Sequence, residues 1–224
     1  MAPEPGRLMA SGRAADVYDL GDGTVLRRYR SGHDATVEGR VMRWVREQGV
    51  AVPLVHRVDG PDIVMDLVPG PTMLADLEAR PWRVVQHARL LARLQRELND
   101  LRSPAWLPRR AGVPDAGTVS HLDLHPMNVI LSPDGPVIID WTNAASGDGS
   151  FDAALSYLLM SGFETAGMRD RIGQRTIVGS FRWWRGHREV GRSLGPAAEY
   201  RLADANVTPG EAEAVRRILD RSGR

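Results

Sequence analysis

His121-Leu122-Asp123-Leu124-His125-Pro126-Met127-Asn128, followed after a short turn by Val137-Ile138-Ile139-Asp140-Trp141, is the stretch from which the rest of this chain is read. Between its two pieces the runs Val129-Ile130-Leu131 and Val137-Ile138-Ile139 are joined by Ser132-Pro133-Asp134-Gly135. A Pro-Asp-Gly turn between two apolar runs predicts a β-hairpin. Asn128 leads into the first strand and Asp140 ends the second, so the turn returns the carboxylate beside the carboxamide. Asp123 stands on the loop just ahead of them. Amide and carboxylate oxygens are hard donors that suit Mg²⁺, a cation that keeps its waters and binds largely through substrate phosphates. A second carboxylate, not spent on a metal, can take the proton of an attacking hydroxyl. These are the parts that phosphoryl transfer uses. His121 and His125 are four apart, but Pro126 keeps them off one regular helix face. That spacing argues against a His-held metal and for a hydrogen-bonded structural His121.

Upstream, the chain reads as strands with a single helix. Ala15 to Leu20 and Thr24 to Arg30 flank the hairpin signal Gly21-Asp22-Gly23, and Leu54 to Val58 and Ile63 to Val68 flank Asp59-Gly60-Pro61-Asp62. Between the two pairs, Val37, Val41, Trp44 and Val45 recur at helical spacing from about Asp34 to Gln48, with Gly49 as the stop and Glu38 near the buried edge. Val68-Pro69-Gly70-Pro71 can continue neither a central strand nor a helix, and marks a boundary between lobes. Beyond it come helices at Thr72 to Ala79 and Trp82 to Leu101, the second with Val84, Val85, Ala88, Leu91, Ala92, Gln95 and Leu98 on one stripe. Residues 102–117 read as loop. From Ser150 the chain is helical again, and Thr208-Pro209-Gly210-Glu211 signs the start of the last helix.

With these motifs in place, the chain resembles the aminoglycoside phosphotransferase and choline kinase-like family, a branch of the protein-kinase-like fold. HLDLHPMN and VIIDW are similar to its HGDLHPGN and IDW motifs, and correspond to the catalytic loop and D-F-G of protein kinases. Gly147-Asp148-Gly149-Ser150-Phe151-Asp152 resembles its G-D-P-x-x-D segment, Ile63 to Gly70 its hinge, and Ser11 to Tyr18 its nucleotide-covering hairpin. The resemblance covers roughly residues 8 to 160. It implies a two-lobed α+β fold: an antiparallel-sheet N-lobe with one helix over residues 1–68 and a mainly helical C-lobe over residues 69–224. It also implies an Mg²⁺-dependent phosphotransferase moving the γ-phosphate of ATP or GTP to a hydroxyl of a small molecule. Asp123 is then the catalytic base, and Asn128 and Asp140 hold Mg²⁺. Asp152 braces the catalytic loop through backbone N–H groups. Glu38 pairs Arg27 of the third strand, the backbone of Asp66 and Val68 meets the purine edge, and Met65 lines the back of that pocket. Asp148 either fixes the loop or caps the following helix, and Trp141 packs beside the metal ligand.

The chain departs from the family at one decisive place. All 29 Lys+Arg residues are arginine, so the phosphate-binding lysine is replaced by Arg27. Arginine keeps its charge and binds phosphate oxygens bidentately, yet its planar fork is larger than an ammonium. Two readings follow: an active enzyme with an adapted pocket, or a nucleotide-binding pseudoenzyme acting as a regulatory module. Arg28 points to the other face of its strand. The hairpin Ser11-Gly12-Arg13-Ala14-Ala15 also has a single glycine where protein kinases have three.

Composition limits the alternatives. With no cysteine among 224 residues, disulfides, thiolate metal sites and a cysteine nucleophile are excluded, and the absence of lysine excludes a Schiff base. A net charge of +1 gives no field for nucleic acid or a membrane surface. No apolar run is long enough to span a bilayer, and Met1 to Gly6 shows no signal-peptide pattern, so a cytoplasmic protein is expected. Residues 153–224 carry 12 Arg against 8 Asp plus Glu. That excess of positive charge argues against a polycationic acceptor, whose ammonium groups need carboxylate partners once desolvated. Phe181-Arg182-Trp183-Trp184-Arg185 is expected chiefly to pack on the core, its alternative being to stack on an aromatic or anionic acceptor.

Overall fold

The computed structural model describes residues 5–12, 14–165 and 167–222. Met1 to Glu4, and Arg13 of the expected nucleotide-covering hairpin, lie outside the described residues. The chain divides into two compact units, one comprising residues up to Pro71 together with Val129–Thr142, the other Thr72–Asn128 with the remainder from Asn143.

The first unit is built on a five-stranded antiparallel sheet. Its strands are β1 (Arg7–Ser11), β2 (Ala15–Asp19), β3 (Thr24–Tyr29), β4 (Val55–Asp59) and β5 (Asp62–Asp66), in the order β1-β2-β3-β5-β4. The two glycine-bearing turns fall where the sequence puts them. β3 is central, and its register sets Arg27 opposite Ile63 and Arg28 opposite Asp62. Arg28 is held by Asp62 through two bonds of 2.7 Å. The single helix α1 (Thr36–Glu47) buries Glu38, Gly39, Val41, Met42 and Val45. Val37, expected on its apolar stripe, is exposed instead. The buried face is rotated toward Glu38, because that carboxylate has charged partners to meet inside.

The hairpin of β7 (Val129–Ser132) and β8 (Gly135–Ile138) belongs to this unit as well. It is tied in by Leu131 N–H to Pro71 O and by Ile138 N–H to Ala51 O, both at 2.9 Å. Gly70 adopts φ +127°, and a Cβ there would stand 2.3 Å from Leu131 O. Only glycine lets the chain pass so close to the hairpin.

The second unit is largely helical. α2 (Met73–Ala79) starts at Thr72, whose hydroxyl accepts from Ala75 N–H, and α3 (Val84–Asn99) follows a short 3-10 turn over Pro81–Arg83. α3 buries Ala88, Leu91, Ala92, Gln95 and Leu98 as its stripe requires, but Val85 at its first turn is exposed. Two three-residue strands, β6 (Thr118–Ser120) and β9 (Ala145–Gly147), pair with each other. They are too short to show an alternation in sequence. α4 (Gly149–Gly162) is apolar on nearly every side, as a helix at the centre of a unit must be. Around it stand α5 (Met168–Arg185), α6 (His187–Arg192), α7 (Leu194–Leu202) and α8 (Pro209–Ser222), with Phe151, Leu155, Leu158, Leu194, Ala197 and Val215 in one core. α8 is capped as its sequence signs, Thr208 accepting from Glu211 N–H. Of the aromatic-basic run, Phe181 and Arg185 are buried, while Trp183 is 68% exposed.

Candidate active site

The first unit gathers Arg27, Glu38 and Asp140 around one guanidinium. Arg27 comes from the central strand, Glu38 from α1, and Asp140 from the segment following β8. Arg27 is 8% exposed; one arm of its fork binds Glu38 and the other donates to Asp140 at 2.8 Å. The second arm also reaches the Thr142 hydroxyl at 2.9 Å. Thr142 in turn lies 2.8 Å from Asp140 and 2.6 Å from the Tyr29 hydroxyl, and that hydroxyl also donates to Glu38. Burial works against the guanidinium charge, but Glu38 and Asp140 outweigh it and hold Arg27 protonated. Burial likewise raises Glu38 above the usual carboxylate range, opposed by Arg27 and the Tyr29 hydroxyl. Tyr29 is pushed up by burial and by Glu38, so it acts as a donor. A lysine ammonium is a single point charge; the planar fork is what lets one residue address two carboxylates in fixed directions. Tyr29 and Thr142 were not singled out in the sequence, since a strand tyrosine and a threonine after Trp141 look like ordinary packing residues.

The remaining candidates of this unit lie along β5 and just beyond it. Met65 is buried opposite Val25 and Val55. Asp66 N–H donates to Leu54 O at 3.0 Å and its carboxylate meets His56 at 2.7 Å. Val68 follows in the irregular stretch before Gly70. Trp141 is buried and its indole donates to Ile138 O, which makes it a packing residue. Asp140 has φ +63°, uncommon for a residue with a side chain and characteristic of sites where the surroundings dictate the backbone.

The second unit holds Asp123 and Asn128. Asn128 donates to Asp123 O at 2.8 Å and lies 3.4 Å from its Oδ2, closing the loop on itself. His125 Nε2 stands 3.4 Å from Asp123 Oδ1, while its Nδ1 accepts from Met127 N–H. The imidazole is thus committed to loop structure, and Pro126–Asn128 forms a 3-10 turn rather than a helix. Beneath the loop, fully buried Asp152 accepts Leu122 N–H at 2.8 Å, His121 N–H at 3.3 Å and Asn99 Nδ2 at 2.9 Å. Leu122 is held at φ +63° by this brace, which turns Asp123 off the buried layer, its side chain 27% exposed. Asp148 is an N-cap, accepting from Ser150 and Phe151 N–H. Burial works against its charge, but those bonds keep its carboxyl below the usual range.

Among its described residues this unit has at least two clefts. The larger, about 730 Å³, is lined by Arg96, Asp148, Arg185 and residues of α6, and contains none of the candidate catalytic groups. The smaller, about 380 Å³, has Asp123 in its wall. Chemistry, not size, selects the smaller one. Among the described residues no group of three or more His, Asp and Glu side chains forms a metal site. No described helix is long and apolar enough to cross a membrane.

The chain matches the phosphotransferase enzyme family over residues 6–112 and 66–190. No curated protein sequence matches it. Among solved structures, the aminoglycoside phosphotransferase APH(4)-Ia aligns over 97% of this chain and 93% of its own, with a TM-score of 0.64 at 16% identity. A streptomycin–ATP ternary complex of APH(2")-IIa aligns over 96% and 90%, with a TM-score of 0.58 at 11% identity. A choline/ethanolamine kinase family protein from Mesorhizobium loti aligns over 99% and 88%, with a TM-score of 0.58 at 16% identity. At these identities the likeness is one of fold: an α+β kinase-like fold with a five-stranded antiparallel sheet and one helix, then a largely helical part.

Proposed function

The chain belongs to the phosphotransferase enzyme family, and from that premise we propose that it moves the γ-phosphate of ATP or GTP to a hydroxyl of a small molecule. The observation that carries this reading is the setting of Asp123. Its loop is fixed from below by Asp152 and from the side by Asn128, and its carboxylate opens into a cleft. A hydroxyl in that cleft can give its proton to an Asp123 oxygen as its own oxygen bonds to the γ-phosphorus. The bond from phosphorus to the β–γ bridging oxygen breaks, and the nucleoside diphosphate leaves. Asn128 and Asp140 are the oxygens that would hold Mg²⁺, which would neutralise phosphate charge when bound. Arg27, kept protonated and aimed by Glu38, offers a permanent charge for phosphate oxygens. The backbone of Asp66 and Val68 would meet the purine edge, with Met65 behind it.

Replacing Asp123 with Asn keeps the shape of the side chain and removes its basicity. Turnover should fall by roughly two orders of magnitude or more, while calorimetry shows nucleotide affinity nearly intact. Parallel loss of nucleotide binding would instead make Asp123 a structural residue and overturn the assignment.

A further inference from the structure

The cleft that contains Asp123 has a composition that restricts its occupant. Its floor is apolar, from Leu122, Leu155 and Leu159, and its rim is polar, from Asn143, Asp204 and Asn206. Tyr200 lines the cleft, its ring at 76° to that of Phe151 with centroids 5.6 Å apart, so the ring is held in place. Burial raises the Tyr200 phenol above its ordinary range, so it remains a hydrogen-bond donor. Among the described residues the lining has one cation, Arg201, and its donors turn into the wall. Its Nε and Nη2 bind Glu211 Oε1 at 2.8 and 2.6 Å, and its Nη1 binds Asp204.

The charges then decide between classes of acceptor. Asp123 and Asp204 of the lining, with Glu211 behind Arg201, outnumber that one guanidinium, so the local charge opposes an anionic acceptor, which would also approach Asp123 against its charge. A polycation fares no better. Asp123 has to receive the hydroxyl proton, and Asp204 accepts from Arg201 and, through its other oxygen, from Asn206. Three or four ammonium groups would enter desolvated and without partners. At about 380 Å³ the cleft is also near the small end of ligand sites, roughly 300–1,000 Å³. An apolar floor, a fixed aromatic ring and a rim of amide and carboxylate groups suit a ring with one C–H face and hydroxyls around its edge.

Resting on the phosphotransferase reading above, we infer that the acceptor is an uncharged, polyhydroxylated ring of about monosaccharide size, seated against Tyr200 with one hydroxyl at Asp123. Saturation-transfer NMR on the wild-type chain without nucleotide tests the cleft directly. Glucose, ribose and myo-inositol serve as neutral probes, glucosamine as the monocation and kanamycin as the polycation. Phosphate transfer to the same panel is followed with ATP or GTP and Mg²⁺. At least one neutral ring should bind and accept phosphate with kcat/KM at least tenfold above kanamycin. Ala203→Trp, at an exposed position on the cleft edge, should weaken that binding at least tenfold with an unchanged melting temperature. Asn206→Ala should raise the acceptor KM several-fold and leave kcat in place. Preferred binding of or transfer to glucosamine or kanamycin, silence of every neutral ring, or binding indifferent to Ala203→Trp would overturn the inference. Failure of both nucleotides to bind would sink the phosphotransferase reading instead, and ring binding without nucleotide would still decide the cleft's specificity.

Discussion

In the first unit polar groups converge on one buried side chain: Glu38, Asp140, Tyr29 and Thr142 all face the fork of Arg27 or one another. In the second unit the buried carboxylate of Asp152 faces backbone, taking N–H groups of Leu122 and His121 and the amide of Asn99. Asn99 is itself held by Arg185 at 2.7 Å, and Arg185 reaches Gln95, Gly149 O and Glu189. One arrangement aims a charge; the other fixes the chain from which a charge is presented. The difference implies different failures. Damage to the first should cost function before stability, and damage to the second should cost both.

The largest effect is expected at Asp152. Asp152→Asn turns an NH₂ group toward donors that need acceptors, inside a site with no access to water. Loss of hydrogen bonds to a buried charged group costs roughly 1.5–3 kcal/mol for each contact that fails. Denaturant unfolding should report several kcal/mol of destabilisation, and the folded fraction should turn over at least a hundredfold more slowly because Leu122 is no longer held at positive φ. A variant of wild-type stability that lost only turnover would erase the distinction between the two networks.

A smaller effect is expected at Arg27. Lysine there can pair with Glu38 or Asp140 but cannot address both with a planar fork. Arg27→Lys should lower kcat/KM about tenfold, about 1.4 kcal/mol of transition-state stabilisation, with a melting temperature close to wild type. Tyr29→Phe should lower it only two- to fivefold, because Thr142 still reaches Arg27 and Asp140. A lysine variant more active than the parent would mean the site is not adapted to arginine and would favour the nucleotide-binding pseudoenzyme.

The sequence made the two networks unequally legible. Asp123, Asn128 and Asp140 stand close together in the sequence as residue types suited to phosphate and metal chemistry, whereas Arg27, Glu38 and Asp152 were reached only through the resemblance of their motifs to the family's. Asn99, Arg185, Tyr29 and Thr142 have no such signature. Each is defined by a partner far along the chain, as Arg185 is by Asn99, and nothing local requires that pairing. The α+β class and most elements were readable because turns, prolines and helical periodicity are local signals. The three-residue strands β6 and β9 were not, since their pairing depends on residues far apart. Val37 and Val85 were misplaced for a related reason: periodicity finds a stripe, but the partners of Glu38 and the start of α3 decide how the helix is rolled.

The smallest effect concerns acid. Asp76 on α2 is buried beside His87, which it meets at 2.7 Å, and it also pairs with Arg80 and Arg83. The His87 bond lowers its pKa below the usual carboxylate value, burial opposes that, and the two arginines add to the lowering. A carboxyl whose folded pKa is depressed contributes stability that is present above its unfolded pKa, near 4, and is lost as pH falls through the folded value. Glu38 has the opposite sign: its pKa is raised, so protonating it favours the fold rather than weakening it. Asp16, Asp22 and Asp34 of the first unit are also held below the usual value by their hydrogen bonds, but none of them is buried, so acid should loosen the surroundings of buried Asp76 ahead of those of Glu38. Hydrogen exchange by mass spectrometry between pH 6 and pH 3, corrected for intrinsic rates, should show peptides from α2 and α3 losing protection before those from β3 and α1. In Asp76→Asn the protection of α2 and α3 should start lower at pH 6 and change less on acidification, because the variant has no depressed carboxyl left to titrate. Equal loss of protection in both units, or an unchanged pH profile in Asp76→Asn, would show that the acid response is set elsewhere.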